Sequence, residues 1–300
     1  ESASRTIYEV FSIALLVFDA VTLPYTLAWS VPEEGFWMVA VWCIRLFWSM
    51  DLILSFFTAY QTRDLKTERH LPLTARHFLR TWLLFDAALV ISDWCDSGMP
   101  GLRLMRVGRL GRFIRLFRQS QRMYLLLQKV KAMLYIKIAH LVIDITILVL
   151  VLMWLAHVLC CFWYMIGKHE EGSDTGATWL SSGEYSKVGV SYEYLTALHW
   201  SLTQITPASM EGSPKCSAER LYNVFVIFAG FVVGSSMVAT LTAMMTQYRM
   251  QLGERMRKMR QLHDFLVQEN TGKVLTRAIK VQINSVLRHR QKLRANQVEL

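Results

Sequence analysis

Proline is scarce, at six in 300 residues, and glycine reaches only fifteen. Collagen and most low-complexity classes need far more of both. Charge is thin as well: 19% of residues are Asp, Glu, Lys or Arg, against 53% hydrophobic. A soluble protein of this size needs a larger polar share to cover itself. Cysteine is sparse and odd in number (Cys43, Cys95, Cys160, Cys161, Cys216), with no C-x-x-C pair. That speaks against a disulfide framework and a zinc site, so no metal or cofactor is expected. The thiols are expected to be inert in lipid or core, although Cys95 and Cys216, at the outer face, should be open to modification. No catalytic constellation stands out, so an enzyme is not expected. The chain opens on Glu1 rather than Met, which reads as a piece of a longer chain, and no secretory signal is visible.

What the chain has in abundance is long apolar runs. A bilayer span takes about 20 such residues. Five stretches qualify: 7–29, 36–60, 78–95, 138–167 and 221–246. The first is interrupted by Asp19 and Pro24, the second by Arg45 and Asp51, the third by Arg80, Asp86 and Asp93. The fourth has Asp144 as its one acid, and the fifth has no charge at all. Residues 102–118, hydrophobic but studded with arginine, make a sixth helix. A shorter run, 192–206, cannot span and reads as a re-entrant helix.

Loop charges test this topology independently. The loop after the second helix carries Arg63, Lys66, Arg69 and Arg76, and the tail carries Arg249, Arg255, Arg257, Lys258 and Arg260. The loop between the first two helices has Glu33 and Glu34, and the turn before 102 has Asp93 and Asp96. Basic and acidic loops alternate as six spans require, with both termini cytoplasmic. The net charge of +10 is thereby accounted for, and nucleic acid is not expected as a partner.

Arg103, Arg106, Arg109, Arg112, Arg115 and Arg118 recur at every third position, with two apolar or glycine residues in each gap. On an α-helix this stripe winds slowly; in a 3-10 stretch it runs straight. An amphipathic helix lying on an anionic membrane would instead keep one wide apolar face. Regular arginines between apolar pairs are what a voltage sensor needs, each charge stepping past a fixed counter-charge. Asp51 and Asp86 fall at one depth, roughly 12–14 Å from the cytoplasmic side at about 1.5 Å per residue, and are the expected counter-charges. The competing reading pairs them with static lysines at helix ends. Trp48, on the face of Asp51, is the expected aromatic plug. Asp19 and Arg45 either pair with each other or serve packing.

Local motifs carry a resemblance. Asp51-Leu-Ile-Leu-Ser-Phe-Phe-Thr-Ala-Tyr60 is similar to D-I-V-L-N-F-R-T-G-Y of the cyclic-nucleotide-gated, hyperpolarisation-activated and ether-à-go-go branch of voltage-gated-like cation channels. Thr81-Trp82-Leu-Leu-Phe-Asp86 resembles its T-W-F-x-x-D, and Ala156-His157-Val-Leu-Cys-Cys-Phe-Trp-Tyr-Met-Ile-Gly167 its A-H-W-L-A-C-I-W-Y-A-I-G. Gly234 and Ala239-Thr240 fall where the branch has a glycine and an A-T pair. The resemblance implies an all-α membrane protein with six transmembrane helices and a re-entrant pore helix. It implies a voltage-sensor domain over 1–122, a linker over 123–133, a pore domain over 134–250 and the start of a cytoplasmic linker over 251–300. The inner pore is expected at Gly234, Val238 and Thr242. His157 matches the branch's pore-domain histidine and is expected to be structural, as is His199.

The filter departs from the branch. Potassium channels carry T-V-G-Y-G; here the run is Thr206, Pro207, Ala208, Ser209, Met210, Glu211. A potassium filter turns backbone carbonyls inward, and its glycines adopt conformations closed to most residues. Ala208 and Met210 stand in those places, and Pro207 lacks an N–H. A stack of four carbonyl rings is therefore not expected. Glu211 either forms a carboxylate ring at the mouth or caps a neighbouring helix. Related sodium and calcium channels put an acid where Ala208 stands.

The expected function is voltage-dependent, weakly selective, passive flux of monovalent cations through a plasma-membrane pore. One chain supplies one re-entrant segment, so three further subunits are expected, in a homo- or heterotetramer within the lipid bilayer. A potassium-selective pore with an atypical filter and a non-conducting regulatory subunit remain alternatives. The tail from Lys273 resembles the linker that joins pore to nucleotide-binding domain, though its charge equally suits anionic inner-leaflet lipid.

Overall fold

Long uncharged runs leave the backbone one way to satisfy its polar groups in an apolar medium, which is the helix. The computed structural model describes residues 3–32, 34–56, 60–61, 67–68, 79, 83–98, 123–124, 126–132, 134, 137–183, 185, 188–206, 208–210 and 212–289. Its main elements are α1 (Ala3–Trp29), α2 (Phe36–Ser55), α3 (Leu83–Gly98), α4 (Lys137–Lys168), α5 (Trp179–Ser182), α6 (Val190–Ile205), α7 (Ser217–Gln268) and α8 (Lys273–His289). The sheet content of the described residues is one antiparallel pair of two-residue strands, β1 (Tyr60–Gln61) and β2 (Thr67–Glu68), in the loop after α2. Among the described residues, four helices are long and apolar enough to cross a membrane: α1 from Thr6, α2, α4 from Ile138, and α7. The Arg103–Arg118 stripe lies outside the described residues.

The boundaries have local causes. Ser30, at φ 51°, ends α1, and Gly35, at φ 54°, opens α2. The 52-residue α7 continues past the end of the apolar run at 246 into the basic stretch without a break. It closes at Asn270, φ 47°, where the Thr271 N–H donates to the Leu266 carbonyl at 3.1 Å. Asparagine tolerates this left-handed corner better than most residues.

Two compact units result. The first comprises Glu1–Leu127 and Met153–Phe228, the second Gln128–Leu152 and Ala229–Leu300. In the second, Lys131 pairs with Asp144, and His140 Nε2 meets the carbonyls of Lys131 and Leu134, each at 2.8 Å. The first unit holds two cores. Leu16, Ile44, Phe47 and Trp48 pack α1 on α2. Trp163, Trp179, Trp200 and Val226 anchor a larger core drawn from α4, α5, α6 and α7. Outward-facing Val149, Leu150, Phe225, Phe228, Phe231 and Val232 are exposed, as expected of lipid-facing helices.

Pro24 has a structural consequence. A proline inside a helix has no N–H, so the carbonyl four residues back loses its helical partner. That carbonyl is Ala20's, and the Trp154 indole N–H of α4 donates to it at 3.0 Å. The next carbonyl, Val21's, meets His157 Nε2 at 2.8 Å. A defect in α1 thus becomes its attachment to α4.

Candidate functional site

Among the described residues, five charged side chains are buried in the first three helices: Asp19, Arg45, Asp51, Asp86 and Asp93. A charge in such surroundings persists only with partners. Asp51 accepts from the Tyr8 hydroxyl of α1, and its own carbonyl accepts from Ser55 Oγ at 2.8 Å. Trp48 lies beside it, 3% exposed, edge-on to Phe47 at 5.3 Å. α3 packs on α2, with Trp94 Nε1 donating to Ser49 Oγ at 3.1 Å and Trp94 edge-on to Trp42 at 5.7 Å. The Arg45 guanidinium stands 5.8 Å from the Trp42 ring centre, within cation–π range. Asp51, Trp48 and Asp86 are thus all buried in the helices where the sequence analysis placed them. The six arginines they are expected to serve lie outside the described residues.

The second cluster surrounds α6. Trp200 of α6 stacks on Trp163 of α4 with centroids 3.9 Å apart and planes at 4°. Trp179 lies 5.4 Å beyond Trp163, and Tyr222 of α7 closes the group at 6.1 Å from Trp200. The close approach of Trp179 depends on Gly167: a methyl there would land on the indole nitrogen. Gly167→Ala should therefore cost about 1–3 kcal/mol by overpacking, read as a lower melting temperature of the purified protein.

Two buried acids hold this wall. Glu193, in the first turn of α6, accepts from Tyr164 Oη of α4 at 2.9 Å and from Trp29 Nε1 of α1 at 3.2 Å. Glu219, fully buried in the first turn of α7, accepts from the Trp179 N–H at 2.9 Å. Its other oxygen takes the Lys215 N–H at 2.7 Å and the Cys216 N–H at 3.5 Å. Asp174 caps α7 from outside, and hydrogen bonds from the Ser217 hydroxyl and N–H hold its carboxyl below the usual carboxylate range. Cys216 is buried, so its expected openness to modification is corrected by its place under Glu219.

The run expected to form the filter follows α6 directly. Thr206 is extended, and its hydroxyl donates back to the Leu202 carbonyl at 2.8 Å. The Ala208 N–H donates to the Thr206 carbonyl at 2.7 Å, so that oxygen is turned along its own chain. Ala208 and Ser209 are exposed, whereas Met210 packs against the tryptophan core. Pro207 and Glu211 lie outside the described residues. On α7, Gly234 is half-buried while Val238 and Thr242 are exposed. The Thr242 hydroxyl satisfies itself on the Val238 carbonyl at 2.8 Å.

Tyr8, Glu193, Glu219 and the role of Pro24 escaped the sequence analysis. The available signal was position: an acid at the edge of an apolar helix is costly unless something receives it.

The family model described as ion transport protein matches residues 5–252. The chain is similar to the voltage-gated inwardly rectifying potassium channel KCNH6 of Gallus gallus, 21% identical over 276 residues. It is likewise similar to KCNH2 of Canis lupus familiaris, 21% identical over 270 residues, and to KCNH6 of Homo sapiens, 20% identical over 275. Each alignment covers 81% of this chain but only 22%, 22% and 27% of the respective relative. The chain therefore spans well under two thirds of the curated relatives it matches. The match extends from α1 into α7 and takes in both buried clusters, and its subject is transport rather than catalysis. The chain is an integral membrane protein that belongs to the ion transport protein family.

Proposed function

We propose that this chain is one subunit of a voltage-gated, weakly selective cation channel. Six helices cross the membrane: α1, α2, α3, the Arg103–Arg118 helix, α4 and α7, with α6 re-entrant between the last two. Residues 1–122 form the sensor, 123–133 the linker, 134–250 the pore domain and 251–300 the start of a cytoplasmic linker. Both termini are cytoplasmic, and the channel works at the plasma membrane with three further subunits around a shared axis. Arg103, Arg106, Arg109, Arg112, Arg115 and Arg118 carry gating charge past Asp51 and Asp86, with Trp48 as plug. Monovalent cations pass Thr206, Pro207, Ala208, Ser209, Met210 and a Glu211 ring, then Gly234, Val238 and Thr242.

The observation that carries the weak selectivity is the Thr206 carbonyl. A potassium cage needs successive carbonyls facing the ion in place of water. Here the Ala208 N–H holds that oxygen along the chain, and the Met210 side chain is drawn into the wall. A ring of four carboxylates at Glu211 raises cation concentration without choosing among cations.

Reversal potentials in bi-ionic sodium and potassium solutions test this. The sodium-to-potassium permeability ratio should lie near unity, of order one, as expected without a carbonyl cage. Glu211→Gln should cut conductance most at low ionic strength, where screening is weakest. A strongly potassium-selective current would favour the second reading, a potassium pore with an atypical filter. The names of the relatives support that reading. Silence alone, with current on adding a related subunit, would identify a regulatory subunit.

A further inference from the structure

We propose that His157, Cys160 and Cys161 form a three-ligand site for a thiophilic divalent cation of the zinc–cadmium class. All three belong to α4 and all are buried. Their ligand atoms lie within 4.8 Å of one another. By sequence they read as a structural histidine and inert thiols; the fold brings their ligand atoms together and gives them an outer partner. This inference is independent of whether the pore conducts.

The spacing i, i+3, i+4 puts three side chains on one helix face. His157 Nε2 and Cys161 Sγ are already 3.8 Å apart. Zinc–sulfur and zinc–nitrogen bonds of about 2.3 Å and 2.0–2.1 Å set neighbouring ligands about 3.5–3.8 Å apart around a tetrahedral ion. The wider separations in the cluster then need only side-chain rotation. Charge favours the same class of ion. Two thiolates, a neutral imidazole and a divalent cation sum to zero, the one total that burial in an apolar helix does not penalise. Thiolates in turn select zinc or cadmium over magnesium or calcium.

A metal-binding histidine usually fixes its second nitrogen through a hydrogen bond. Here Tyr194 Oη of α6 sits 2.9 Å from His157 Nδ1. Without metal, Nε2–H donates to the Val21 carbonyl, and Nδ1 accepts from Tyr194. On binding, the imidazole proton resides on Nδ1 and is donated to the Tyr194 oxygen, which frees the Nε2 lone pair for the metal. Each thiol loses its proton to solvent as its metal–sulfur bond forms, and no electron is transferred. The Val21 carbonyl thereby loses its α4 donor. Occupancy would therefore loosen one of the two hydrogen bonds that Trp154 and His157 make between α4 and α1.

Cadmium is the probe. The purified full chain, in detergent and under reducing conditions, is incubated with cadmium, dialysed, and analysed for metal per chain and for the ultraviolet thiolate-to-cadmium band. We expect one cadmium per chain with that band, unchanged in Cys43→Ser/Cys216→Ser. The Cys160→Ser/Cys161→Ser double variant should lose both. Tyr194→Phe should weaken binding by about 10–100-fold, as the loss of an outer partner does. X-ray absorption at the cadmium edge of the parent protein needs no variant and should count two sulfur neighbours and one nitrogen. Absence of the band, its persistence in the double variant, or an oxygen-only neighbour shell would each overturn the site.

Discussion

Replacing Arg109 and Arg112 together by glutamine should flatten the charge–voltage curve of the channel. One charge moved through the whole field is worth about 2.3 kcal/mol per 100 mV, so three or four per subunit supply roughly 7–9 kcal/mol. Removing two of them takes away about 4–5 kcal/mol per 100 mV in each subunit, many times thermal energy. The comparison that gives this meaning is Lys258. It pairs with Glu254 one turn away, and both are well exposed, at 63% and 56%. A charge there senses little field and contributes little to stability, so Lys258→Gln should leave the slope alone. Gating-current recordings of both variants decide the matter. An unchanged slope in the double arginine variant would remove the sensor reading.

Glu219→Ala should reduce the melting temperature and the surface yield of the protein more than any other single change in the tryptophan wall around α6. The carboxylate receives three backbone N–H groups, from Trp179, Lys215 and Cys216, and none of its own surface reaches solvent. Two of these donors, on Trp179 and Cys216, are buried, and each left unsatisfied costs about 1–3 kcal/mol, so the loss reaches at least about 2 kcal/mol. Total stabilities run only to about 5–15 kcal/mol, so such a loss is severe. Glu219→Gln keeps the volume and one acceptor oxygen but turns an NH2 toward an N–H. It should recover less than half of the loss. Parent-like melting and yield in the alanine variant would show that the clamp is not needed.

The helices were legible because run length and charge interruption are local properties. The expected spans at 7–29, 36–60 and 138–167 coincide with α1, α2 and α4 to within a few residues, and 192–206 with α6. The burial of Asp51 and Asp86 was legible for a related reason: a charge inside an apolar run is conspicuous, and Trp48 shares the face of Asp51. Glu193 and Glu219 were not, because at a helix edge an acid is ordinary. Glu193 meets Trp29 across 164 residues and Glu219 meets Trp179 across 40, and no local pattern links those pairs. Pro24 was visible only as an interruption. That it would free the Ala20 carbonyl follows from helix geometry, but that Trp154 would receive it depends on how α4 packs. The stretch 247–260 reads as a basic helix, and α7 runs through it from the apolar span, because the change in composition alters the solvent a helix faces but not its backbone.

The stacked indoles behind α6 are also an optical element. Trp163 and Trp200 overlap nearly plane to plane at 3.9 Å, with Trp179 at 5.4 Å from Trp163. Chromophores held this close share their electronic transitions, and the shared transition is chiral because the helices fix the offset of the rings. The near-ultraviolet dichroism of such a stack fades when side-chain packing is lost, even while the far-ultraviolet signal of the helices persists. The molecule thus carries its own light-reading of whether the wall behind the filter run is assembled, without label and without current.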